Sequence, residues 1–123
     1  DIRLEGNVAV SNFSFHHKGS GDVEMKNLET TNLTISMLGS GDFKADAGSA
    51  KNQTINVSGS GNVAVENLTG ESSTIAIKGS GDVKVNVNSS LIGNIMGSGN
   101  IAYKGDPKTK QVDIMGSGEV QKL

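Results

Sequence analysis

The chain has 123 residues, room for one domain with a modest core, and a formal net charge of −2 with no run of like charges, which argues against a nucleic-acid or anionic-membrane partner. Cysteine is absent, so disulfides, thiol catalysis and cysteine-based metal sites are excluded while the compartment stays open. Four aromatics (Phe13, Phe15, Phe43 and Tyr103) leave little to stack on bases or sugars, and no apolar run approaches the roughly 20 residues of a bilayer span.

Residues 1–10 set Ile2, Leu4, Gly6, Val8 and Val10 against polar or small neighbours, the period-two pattern of a half-buried strand. Gly6-Asn7-Val8 reads as a worn copy of the motif that follows, and residues 1–18 are expected to form an irregular first coil. His16 and His17 are the only histidines. Adjacent strand residues point to opposite faces, so the pair is not a ligand site, and His17 is expected to pack inward. With no signal peptide at Asp1, the chain is expected to be either cytosolic or, the favoured reading, a mature fragment whose leader has been removed.

From residue 19 one tripeptide punctuates the chain. Gly-Ser-Gly stands at 19–21, 39–41, 59–61, 79–81, 97–99 and 116–118, with starts 20, 20, 20, 18 and 19 residues apart. A polar residue follows each (Asp22, Asp42, Asn62, Asp82, Asn100, Glu119), then an apolar one (Val23, Phe43, Val63, Val83, Ile101, Val120). Two positions further come Met25, Ala45, Val65, Val85 and Tyr103. Ahead of each motif run Phe15, Ile35, Ile55, Ile75, Gly93 and Val112, then His17, Met37, Val57, Ile77, Ile95 and Ile114. These columns share one parity, and the two motif glycines carry it through a bend, where the missing Cβ permits a sharp turn or a close approach.

Stretches such as residues 26–31 and 66–72 read as the loop or second corner of each coil. No segment has a 3.6-residue apolar period with caps, and Val, Ile and Thr enrichment agrees with strand. A fixed period near 20 predicts an all-β, right-handed parallel β-helix, with five regular coils over residues 19–115 and a terminal half coil over 116–123. An antiparallel sandwich is the alternative that short strands also allow. The ends of such a stack are strand edges that invite pairing, so a homo-oligomer through open ends is one expectation.

The outward column Asp22, Asp42, Asn62, Asp82 and Asn100 is the candidate binding site. Stacked carboxylates repel, and a cation such as calcium would relieve them. The known repeat of that kind has a nine-residue period and a different glycine spacing, and two members here are neutral. Turn chemistry, with short polar side chains bonding local backbone groups, explains the column more simply. Asn12, Asn32 and Asn52 form another column and begin Asn-x-Ser/Thr sequons at the coil period, which makes them products of the repeat. Ser14, Thr34, Thr54 and Thr74 resemble half of an ice-binding face, lacking a second regular column. The sequence carries no nucleophile–base pair, phosphate loop or zinc spacing, and it calls for no catalytic residue, metal or cofactor.

The recurring Gly-Ser-Gly-(Asp/Asn)-(Val/Ile/Phe), with aliphatic strands on both sides, resembles the head GIN domain of autotransporter adhesins from Bacteroidetes. The most specific stretch is residues 95–118, from Ile95-Met96-Gly97-Ser98-Gly99-Asn100 through Asp106-Pro107 to Gly116-Ser117-Gly118. The resemblance covers the chain from Lys18 onward. It implies a right-handed β-helix on secreted or lipid-anchored envelope proteins that usually carry a leader and a preceding β-rich half. On that basis the chain is read as the C-terminal part of such a domain or a short member. The functional expectation is a non-enzymatic adhesion or binding module in the cell envelope or outside the cell, recognising a cell-surface glycan or protein. A self-assembling β-helix scaffold and a polysaccharide-active enzyme are the alternatives.

Overall fold

The computed structural model describes residues 2–122, apart from the side chain of Leu4. Expectations for Asp1, Leu123 and the Leu4 side chain lie outside the described residues. Ten strands form one continuous sheet: β1 (Ile2–Gly19), β2 (Val23–Gly39), β3 (Phe43–Ala45), β4 (Gly48–Gly59), β5 (Val63–Ala64), β6 (Leu68–Gly79), β7 (Asp82–Gly97), β8 (Asn100–Lys104), β9 (Thr109–Met115) and β10 (Glu119–Lys122). Every pairing is parallel and joins one coil to the next, as in β1–β2, β2–β4 and β4–β6. The described residues contain no helix. The molecule is a parallel β-solenoid of about six turns with coils near 20 residues.

The columns stack as their spacing requires. Ile35 pairs with Ile55 and Ile55 with Ile75. Phe43 pairs with Val63 and Val63 with Val83. All of these side chains are buried. Each such aliphatic side chain, fully removed from water, contributes roughly 1.5–3 kcal/mol. Phe15 of the first coil meets Phe43 of the third, their ring centroids 5.2 Å apart.

Three corners per coil emerge from the burial pattern. In the second coil the buried residues run Val23, Met25, then Leu28, Thr30, then Leu33, Ile35, Met37. The step is two within each run and three at 25→28 and 30→33, where the chain turns. The stretch at residues 26–31, expected to be loop, is strand within β2, and its Leu28 is fully buried. In the fourth coil only residues 66 and 67 are turn, and Leu68 already belongs to β6. The middle run is therefore a third side of the solenoid. Gly6 is not a worn motif: it lies at a register shift between Leu4 and Asn7 and aligns with the corner before Asn27.

The third corner is the Gly-Ser-Gly step, and its two glycines differ. The first holds a positive φ, +117° at Gly59, which L side chains rarely adopt. These first glycines are exposed or half-buried, so the expectation that both face inward holds only for the second. Gly61 is buried, and a Cβ there would overlap the carbonyl oxygen of Gly41 one coil away. The carbonyl of Gly39 accepts from Ser60 N at 3.1 Å and from Gly61 N at 3.2 Å. The corner thus lets successive backbones touch.

Candidate functional site

Directly after each motif, the fold places Asp22, Asp42, Asn62, Asp82 and Asn100 one above another on the outside. Their side chains form a ladder. Asp22 Oδ1 accepts from Asp42 N at 3.1 Å, and Asp42 Oδ1 accepts from Asn62 N at 3.1 Å. Asn62 Oδ1 accepts from Asp82 N at 3.0 Å, Asp82 Oδ1 from Asn100 N at 3.1 Å, and Asn100 Oδ1 from Glu119 N at 3.1 Å. The backbone answers in the opposite direction, with Val23 N donating to Asp42 O and Phe43 N to Asn62 O, each at 2.8 Å.

This geometry explains the residue types. A corner interrupts the regular backbone ladder, and an N–H left there needs another acceptor. Asp and Asn both offer an oxygen at the right reach, so carboxylate and amide alternate without loss. Asn100 adds a donor, its Nδ2 lying 3.2 Å from Asp82 Oδ1. The bonds run to the next coil and not to the local turn, which departs from the expectation of local backbone bonding. Among the described residues, no three His, Asp or Glu side chains gather closely enough to hold a metal ion.

A second ladder runs up the corner before the last run of each coil. Asn32 Nδ2 donates to Asn12 Oδ1 at 2.8 Å, and Asn52 Nδ2 to Asn32 Oδ1 at 2.9 Å. Ser72 and Ser90 continue the column with hydroxyl oxygens 3.3 Å apart. Beside it, Ser14, Thr34, Thr54 and Thr74 stack in register along the outside of the last run.

His16 is exposed, while His17 is half-buried in the column of Met37 and Val57, its ring stacked on Phe15 with centroids 6.0 Å apart. The two rings lie on opposite faces and do not combine. Two open depressions of about 400 and 470 Å³ lie over the middle run, lined mainly by Ser and Thr with Glu29, Lys51 and Glu71. Neither brings a histidine to a carboxylate.

Sequence reasoning missed a polar patch inside the core. Gln53 and Ser73 are buried in the column of Leu33 and Leu91. Gln53 Nε2 donates to Ala50 O at 3.2 Å, and Ser73 Oγ lies 3.4 Å from Gln53 Oε1. Gly70, without a Cβ, leaves room for the Gln53 amide. Counting coil by coil from Leu33 was the available signal. At the C-terminal end, Lys110 lies over the Tyr103 ring, 5.2 Å from its centroid, and donates to its hydroxyl at 3.1 Å. Lys122 bonds Asp106 there and holds that carboxyl below the usual aspartate range.

The model of the family described as "Putative auto-transporter adhesin, head GIN domain" matches residues 1–107. Among solved structures, the chain is similar to a putative adhesin from Bacteroides fragilis, with 27% identity and a TM-score of 0.86 over 98% of this chain and 55% of that one. It is also similar to a putative lipid binding protein from Parabacteroides distasonis, with 29% identity and a TM-score of 0.79 over 99% of this chain and 56% of that one. The chain thus spans little more than half the length of either. No curated protein matches it.

Proposed function

Because the chain belongs to the family of auto-transporter adhesin head GIN domains, we propose that it is a non-enzymatic adhesion or binding module of the cell surface. It recognises a glycan or protein through faces that repeat in register. The observation that carries this reading is the matched outward columns on a rigid three-sided stack, which offer one contact pattern several times over and so favour avidity. The Asp22–Asn100 column is assigned a structural role within this reading, since one oxygen of each side chain accepts from the neighbouring coil. No transmembrane helix occurs among the described residues.

The alternative reading is self-association of the repeating coils into a scaffold. One experiment separates the two. The purified chain is screened on a glycan and cell-wall-polymer array and on immobilised surface proteins, with its size followed by sedimentation. Saturable binding by a small discrete species is expected. Silence on every surface together with concentration-dependent growth into long assemblies would replace the adhesion reading with a scaffold.

A further inference from the structure

The three sides of the solenoid differ in charge. Outside the first run stand Glu24, Lys44 and Lys84, and along the middle run Glu29, Lys51 and Glu71. The last run is different. Three of its outward columns, headed by Asn32, Thr34 and Ser36 in the second coil, contain no Asp, Glu, Lys or Arg from the second coil to the fifth, in a chain whose composition is 20% charged, and the fourth, headed by Leu38, contains only Lys78 of these. A charged surface would serve solubility better, so this neutral strip is a departure from the rest of the molecule.

The strip is mostly polar, with Ala76 and the 38% exposed Ile92 as its apolar members, and the hydrogen-bonding groups beside its Asn column are free in the second and third coils. Thr34, Ser36, Thr54 and Asn56 make no side-chain hydrogen bond to other described residues, whereas the adjacent Asn ladder is fixed by its own bonds. Donors and acceptors therefore recur at the strand spacing of roughly 4.8 Å. An open depression of about 250 Å³ lies on this side, lined by Ser36, Asn56, Val57, Ser58, Ala76 and Lys78. The aromatic rings are half-buried or buried.

From this pattern we propose that the last-run face is the docking platform for an extended, uncharged polysaccharide, which deepens and rests on the binding-module reading above. Charge matching decides the partner class. An anionic polymer would find a single cation, Lys78, beside the three columns, and a protein interface would find the scattered Leu38, Ile92 and Met96 but no aromatic or arginine anchor. A neutral glycan chain presents hydroxyls at every sugar and meets amides and hydroxyls at every coil. Without stacking rings each contact is weak, and affinity comes from repetition along the polymer.

The test is affinity electrophoresis of the purified chain in gels cast with a neutral linear β-glucan, with a neutral mannan, or with anionic polygalacturonate. At least one neutral polymer should retard the wild type, and polygalacturonate should not. Thr54→Lys, which sets a charge in the middle of the strip at an exposed position, should weaken the retardation by about tenfold. Thr69→Lys, exposed on the middle run, should leave it unchanged, with circular dichroism confirming that both variants fold. Retardation by polygalacturonate alone, or by nothing, overturns the proposal. Loss in Thr69→Lys with retention in Thr54→Lys also overturns the face assignment, while a hit on the broader array would still uphold the binding-module reading.

Discussion

Asp42 illustrates how one side chain serves two coils. Its backbone N–H donates to Asp22 below, and its carboxylate accepts from Asn62 above. Asp42→Ala should leave the Asn62 N–H to water and cost about 1 kcal/mol. Asp42→Asn keeps the acceptor and removes a negative charge stacked near Asp22, so it should be neutral or slightly stabilising, with the gain larger at low salt. Urea denaturation midpoints at two ionic strengths check both expectations, and equal losses in Ala and Asn would refute the acceptor role. The residue types of this column were legible in the sequence. The bond partner was not, because a repeat of 20 shows which residues stack but not whether a side chain turns to its own loop or to the coil beyond.

At the level of the strand, the first and last runs of each coil announced themselves through strict alternation such as Ile35-Ser36-Met37 and Val63-Ala64-Val65. The middle run did not, for two physical reasons. The inward step lengthens from two to three at each corner, so a period-two reading loses phase between Met25 and Leu28. The inward column also admits Gln53 and Ser73, whose bonds to Ala50 and to each other offset the cost of burial. Where alternation was legible it makes a sharp contrast. Val63→Asp places a charge at a position only 1% exposed and should cost more than about 3 kcal/mol, whereas Lys84→Asp, exposed on the same run, should stay within about 0.5 kcal/mol. Thermal melts of the two purified variants decide it, and similar losses would break the inward assignment.

The whole molecule is a one-dimensional stack, in which each coil touches chiefly the coil before and the coil after. Stability should accordingly be greatest at mid-stack. In native-state hydrogen exchange, the amides of Ile55 and Val57 are expected to be the slowest, with β1 and β9 exchanging sooner. Uniform protection from end to end would argue that the coils do not behave as separable neighbours. The motif corner also bears on how such a chain changes length. Gly-Ser-Gly stays in register throughout, while the shortening to 18 residues is taken up between Lys84 and Ser90, where the pairing offset falls from 20 to 17 and then settles at 18. Changes in coil length thus fall at the two corners that flank the middle run, and the glycine spine acts as their ruler. Growth, by contrast, comes most easily as whole coils: a duplicated segment spanning residues 59–78 would find Asp42 below to accept from it and Asp82 above to donate to it. Copying whole coils can therefore lengthen such a stack one rung at a time, with the corner ladder carried through each copy.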